Sequence, residues 1–180
     1  MSLYEEENMK FLKEMILEDS IEIKTTPEKI FDFFVHMEEN YKAWHPDDHV
    51  VFRLIKGKPL EEGAIGYFEE YLHGKLHKAK VLYTKIVPNR EIEYRPLFWL
   101  WRIFWPKSVF IIEPKGKSCI FTATVHYRLG WLSTKLARNR IEAAIESTKR
   151  HMKEEGENLK RLLEKEKDQS PKETGLTPLC

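Results

Sequence analysis

Between residues 50 and 129 the chain alternates apolar and polar side chains through six short segments, and residues 135–164 then repeat apolar positions at intervals of three and four. Alternation of period two marks a half-buried strand, and the longer period marks an amphipathic helix. The spacing predicts strands at 50–56, 65–73, 76–87, 90–95, 107–114 and 119–129, parted by the turn signals Lys58-Pro59, His73-Gly74, Pro88-Asn89 and Lys115-Gly116. Strands joined this closely pair antiparallel, and a sheet with one apolar face needs a cover. The single long helix at 135–164, with Gly156 its one weak position, is the element able to provide it. The expected class is α+β, an antiparallel sheet gripping a C-terminal helix.

Upstream, Leu3, Phe11, Leu12, Met15 and Ile16 among Glu and Lys suggest an amphipathic helix over about 4–17, read as an N-terminal extension over 1–17. Asp19 to Lys24 alternates and reads as a strand. Thr26-Pro27-Glu28 then opens a helix expected to run to about Met37. Tyr41 to His49 reads as a turn-rich connector, because Pro46 pushes His45 out of helical geometry. One domain over 18–164 and a disordered tail over 165–180 complete the plan.

Charge excludes several function classes. Thirty Lys and Arg against 29 Asp and Glu leave a net charge of +1, so no electrostatic excess draws the chain to nucleic acid. Met1 to Leu17 has no uninterrupted apolar core, which fits neither a secretory signal nor a stable membrane insertion. Cys119 and Cys180 form no disulfide framework, so a reducing cytoplasm is expected. Phosphate-binding glycine loops, C-x-x-C pairs and G-x-S-x-G elbows are all missing.

The terminal helix holds the sharpest anomaly. Its predicted inward stripe is Ile141, Ile145, Thr148, Met152, Glu155, Leu159 and Leu162, so a carboxylate takes a core position one turn after His151. An unpaired buried carboxylate costs several kcal/mol, and a base, a proton or a metal must neutralise it. The i,i+4 spacing lets His151 and Glu155 converge on one point. With Gly74-Lys75 as a two-residue turn, Glu70 pairs with Ala79 and faces inward with Phe68, Leu72, His77 and Val81. A turn one residue longer swaps the faces and puts Glu69 inside instead. The connector adds His45 and His49, of which His49 is the better anchored because it leads into a strand. Two imidazoles and two carboxylates suit Zn²⁺ and tolerate Fe²⁺ or Mn²⁺.

With these residues in view, the chain resembles the START-like, or SRPBCC, helix-grip superfamily over about 18–164. Within it, Tyr41 to His49 (YKAWHPDDH), the Phe68-Glu69-Glu70 strand and His151 to Glu155 (HMKEE) resemble the zinc-dependent diacetylphloroglucinol hydrolase-like branch. The resemblance implies a cavity between sheet and helix, and zinc held by His49 (or His45), Glu70, His151 and Glu155. It also implies hydrolysis of a carbon–carbon bond between an acyl group and a phenolic ring. His45, His77 and Tyr83 are candidate acids or bases by face and proximity.

Two functions follow as expectations: a metal-dependent hydrolase of a small aromatic or polyketide-like ketone, or a non-catalytic carrier of an apolar ligand such as a lipid, quinone or polyketide. Either way the expected partner is a small apolar or aromatic molecule. Leu97 to Pro106 places three of the five tryptophans in seven positions, too short a run to span a bilayer. It reads as a lid over the cavity, a homodimer contact, a membrane-interface dip, or two buried strand ends with a bend between them.

Overall fold

The computed structural model describes residues 12–130 and 137–165. Its elements are β1 (Leu12–Ile23), α1 (Pro27–Val35), α2 (Met37–Trp44), β2 (His49–Lys56), β3 (Ile65–Leu72), β4 (Lys75–Val87), β5 (Glu91–Pro96), α3 (Trp101–Phe104), β6 (Lys107–Lys115), β7 (Ser118–Gly130) and α4 (Arg138–Lys165). Seven antiparallel strands form one curved sheet in the order β1-β7-β6-β5-β4-β3-β2, and α4 is the long helix that it grips. The expected α+β helix-grip architecture is what folds.

Two local expectations are corrected. Residues 12–17 are strand, not helix, and belong to the sheet: β1 pairs with β7 from Leu12↔Gly130 to Ile23↔Cys119. Their side chains obey period two, with Met15, Leu17, Ile21 and Ile23 turned toward the interior and Ile16 half exposed. That alternation, continuous with 19–23, outweighs the weaker helical spacing of Leu12, Met15 and Ile16. The remainder of the expected N-terminal helix and the tail beyond Lys165 lie outside the described residues.

The second correction concerns the connector. The first helix stops at Val35, and Met37–Trp44 is a second helix that takes in Tyr41 to Trp44. Met37, Tyr41 and Trp44, spaced i, i+4 and i+7, form its buried stripe. It ends where His45 precedes Pro46, with His45 at φ −142°.

Turn chemistry fixes the β3–β4 hairpin. His73 and Gly74 sit at φ 56° and 69°, so they, and not Gly74-Lys75, are the two turn residues. Glu70 therefore pairs with His77 and Phe68 with Ala79, two places from the expected register. A slip of two preserves the side-chain face, and Glu70 still points inward.

The core joins α1 to the sheet and to α4. Phe34 stacks on Phe121 at 5.6 Å and packs against Phe110 at 5.1 Å, while Ile30 and Leu159 are fully buried. Gly156 lets α4 cross β1 closely, since a Cβ there would lie 3.2 Å from Asp19 Oδ2 and 3.4 Å from Ile21 Cγ2. The weak position in the helix is thus its contact point.

Candidate metal centre

Helix α2 and the turn after it aim a set of polar side chains at the middle of α4. Tyr41 lies on the buried stripe of α2, and its ring stacks on His49 with centroids 3.9 Å apart and planes 3° from parallel. Trp44 donates its indole N–H to the Glu155 carbonyl at 3.0 Å, tying α2 to α4 at the site. His49 opens β2 and pairs with Glu70 on β3, so strand register alone sets those two side by side. His151 and Glu155 reach in from α4 at i,i+4.

Four expected metal ligands, His49, Glu70, His151 and Glu155, thereby meet. His49 Nε2 lies 3.2 Å from Glu155 Oε1 and 3.8 Å from Glu70 Oε2, and His151 Nε2 lies 3.7 Å from the same Glu155 oxygen. A tetrahedral ion with bonds of about 2.0–2.1 Å holds its ligand atoms roughly 3.3 Å apart, so the distances from His49 and His151 to Glu155 are close to what one ion needs, while Glu70 would have to move inward to complete the set. The ligand atoms of His49, His151 and Glu155 all lie within 4.8 Å of one another, and Glu70 joins them through His49.

Tautomers follow from the hydrogen bonds. His49 Nδ1–H donates to the Tyr41 carbonyl at 2.8 Å, which leaves the lone pair on Nε2. That Nε2 is buried and makes no hydrogen bond. His151 Nδ1–H donates to Asp48 Oδ2 at 3.1 Å and likewise frees its Nε2. Imidazoles anchored at one nitrogen by an oxygen acceptor are the form in which histidine ligates metals. His45 is arranged differently: its Nδ1 accepts the Asp48 backbone N–H at 3.2 Å, and its Nε2–H donates to Glu154 Oε2 at 3.1 Å. Both of its nitrogens are occupied. A second acidic and imidazole set, His45, Asp48 and His151, shares His151 with the first.

Burial dominates the electrostatics. It lifts the Glu155 carboxyl from the usual 4.5 to about 7, against the pull of His151 and His45. Glu70 is also raised, first by burial and further by the charge on Glu155, with His49 opposing. Burial pushes the His49 imidazole down to about 4, into the neutral form that binds metal. A divalent cation at the meeting point would reverse the cost of the two carboxylates.

The site opens on a cavity of about 370 Å³ between sheet and helix. Glu70, His151 and Glu155 form its polar end, and Phe68, Val81, Phe110 and Met152 are among its apolar walls. Of the expected acids and bases, Tyr83 is buried in the wall, and burial raises its hydroxyl pKa. His77 is exposed at the rim, where its Nε2–H donates to the Leu72 carbonyl at 3.1 Å. His45 is buried but lies off the cavity wall, turned to Glu154 and Asp48. No hydrogen bond joins any of these three to the four converging side chains.

Sequence reasoning missed three residues. Tyr41 donates its hydroxyl to Glu70 Oε2 at 2.9 Å, Asp48 anchors His151, and Tyr94 lines the cavity with a hydroxyl pKa held far up by burial and by Glu155 and Glu70. The first two belong to the quoted segment YKAWHPDDH, and reading it as a loop hid that Tyr41 lies on a helix stripe. Strand parity could have found Tyr94, an even step from Ile92 on the buried face.

No family model matches the chain, and no curated protein matches it either. Solved structures match at the level of fold. Norcoclaurine synthase from Thalictrum flavum, in complex with dopamine and hydroxybenzaldehyde, superposes with a TM-score of 0.66 at 12% identity, covering 92% of this chain and 93% of that one. Protein NE0264 from Nitrosomonas europaea gives 0.62 at 15% identity over 86% and 97% of the two chains. Ginseng major latex-like protein 151 from Panax ginseng gives 0.56 at 14% over 77% and 97%.

Proposed function

We propose, for a chain with the START-like, Bet v 1-like helix-grip fold, a metal-dependent hydrolase acting on a small aromatic ketone, with Zn²⁺ held by His49, Glu70, His151 and Glu155. The observation that carries this reading is the buried His49 Nε2. It has its lone pair exposed, no hydrogen-bond partner, and two inward carboxylates within 4 Å. A group like this is costly in a mere ligand carrier: the buried acceptor has no donor, and of the two acids only Glu70 has one, the Tyr41 hydroxyl.

The bound ion would supply a Lewis acid for a ketone oxygen and would acidify water. The chain's own residues do the rest. Tyr94 and Tyr83, whose pKa values burial raises, stay protonated at neutral pH and can donate hydrogen bonds to a phenol or ketone oxygen in the cavity. The apolar walls exclude bulk water from the aromatic ring of the substrate. Hydrolysis of an acyl-phenol carbon–carbon bond would place hydroxyl on the acyl carbon and a proton on the ring carbon. Phenolic ligands are consistent with the dopamine and hydroxybenzaldehyde found in complex with norcoclaurine synthase, a protein of similar fold.

The competing reading is a carrier of an apolar molecule, supported by the largely apolar cavity wall. Elemental analysis of protein purified without added metal separates the two. We expect about one equivalent of zinc in the wild type and little in the His151→Ala, Glu155→Ala double variant. Equal, negligible metal in both would leave the carrier. Acyl-phenol turnover, followed by chromatography of the released phenol, then tests the substrate.

A further inference from the structure

The segment linking β5 to β6 does not fold inward. Among the described residues six of the eleven exposed large hydrophobic side chains fall within Phe98–Phe104, with Trp99 62%, Phe104 56% and Phe98 51% exposed. Exposed aromatic clusters of this density mark interaction sites. The cluster is held open, because the Arg102 guanidinium donates to the carbonyls of Pro96 at 2.9 Å and Leu97 at 2.8 Å and so fixes the path of the loop. Trp105 anchors the far side by donating its indole N–H to Ser108 Oγ at 2.9 Å. Trp101 and Trp105 line the cavity, so the exposed tip continues directly into the cavity mouth.

Charge chooses the occupant. From Tyr94 to Ile112 the charged residues are Arg95, Arg102 and Lys107, with no acid in a chain that carries 29. Lys107 is paired with Glu93 at 2.6 Å, while no carboxylate pairs with Arg95 or Arg102 among the described residues. A second copy docking on the same tip would set these arginines against their own images with no acid of the segment between them. The tip also falls short of the roughly 20–30 residues a side that a stable dimer uses. An aromatic tip beside two arginines that no carboxylate neutralises matches the boundary between headgroups and acyl chains in an anionic bilayer.

We propose that Phe98–Phe104 docks on an anionic lipid surface and presents the cavity mouth to it, so that an apolar ligand passes between bilayer and cavity without crossing water. No described helix is long and apolar enough to cross a membrane, and the contact is peripheral. This inference is independent of the metal.

The test is cosedimentation of the full chain with vesicles of phosphatidylcholine, with and without phosphatidylglycerol. Binding is expected to the anionic vesicles, to weaken as salt is raised, and to fall at least about tenfold in a Trp99→Glu, Phe104→Glu double variant with an unchanged circular dichroism spectrum. Quenching of the wild-type tryptophan emission by brominated acyl chains reads the same contact without a variant. Absence of wild-type binding and quenching, or equal binding by the double variant, overturns the proposal. So does a wild-type dimer in sedimentation velocity that the double variant dissolves, which would assign the tip to a second copy.

Discussion

Replacing Glu155 by Gln tests whether the carboxylate on the gripping helix is held against its own solvation. Its side chain is 13% exposed, and burial raises its pKa from 4.5 to about 7. A folded pKa above the unfolded one means that folding is easier with the proton on. The stability linked to the proton is complete below about pH 4.5 and is lost as pH rises through about 7. A gap of about 2.5 in pKa, at roughly 1.4 kcal/mol for each unit, makes the loss ~3 kcal/mol. Gln keeps the shape without the charge, and its amide can donate to the orphaned His49 Nε2.

The assay is urea unfolding of chelator-treated protein. Between about pH 5 and about pH 8 the wild type should lose ~2–3 kcal/mol relative to Glu155→Gln, in which groups remote from the site titrate as in the wild type and Glu70 ionises more easily for want of the neighbouring charge. Added zinc should then stabilise the wild type at high pH and leave the variant nearly unmoved. A difference between the two proteins that stays flat across this range would refute the reasoning, because it would mean that Glu155 is solvated enough to ionise without cost.

Three further substitutions probe the supports of the site. Tyr41→Phe removes the hydroxyl that donates to Glu70 and keeps the ring on His49; it should cost ~1 kcal/mol by urea unfolding and weaken zinc about tenfold or more in competitive chelator titration. Gly156→Leu forces a side chain into the crossing with Asp19 and Ile21, and should destabilise by ~1–3 kcal/mol in thermal unfolding, whereas Gly156→Ala offsets its tight contact with a helix-propensity gain of up to ~1 kcal/mol. His73→Asn places a residue that tolerates φ 56° at the hairpin turn, and should raise the melting temperature slightly without changing metal content.

What the sequence revealed depended on parity rather than on exact pairing. Glu70 could be assigned to the interior although the hairpin register was two residues off, because an even slip leaves every side chain on its own face. The identity of the turn was harder to read, since His73 at positive φ is a conformation its side chain does not advertise. Residues 12–17 were misread because Ile16 supplies a helical spacing that the structure leaves half exposed, while the pairing with β7 that makes the segment a strand is a contact over a hundred residues away. Propensity cannot register such a partner.

The candidate site was partly legible for the opposite reason. A carboxylate on an apolar stripe is a local contradiction, and contradictions of that kind concentrate where function overrides stability. His151 and Glu155 stand out in this way as candidates, but the residues that hold them do not. Tyr41 and Asp48 act through a carbonyl, a hydroxyl and one carboxylate oxygen whose use appears only once α2, β2 and α4 are together. Two residues of similar appearance, His45 and His49, end with opposite bonding: one has both ring nitrogens engaged and the other keeps a bare lone pair inside the protein. The difference arises because the Asp48 backbone N–H turns back onto His45 while the Tyr41 carbonyl, at the helix end, is free to take the His49 proton. A helix C-terminus must leave its last carbonyls to such partners, so the short length of α2 is what supplies the acceptor that orients the imidazole.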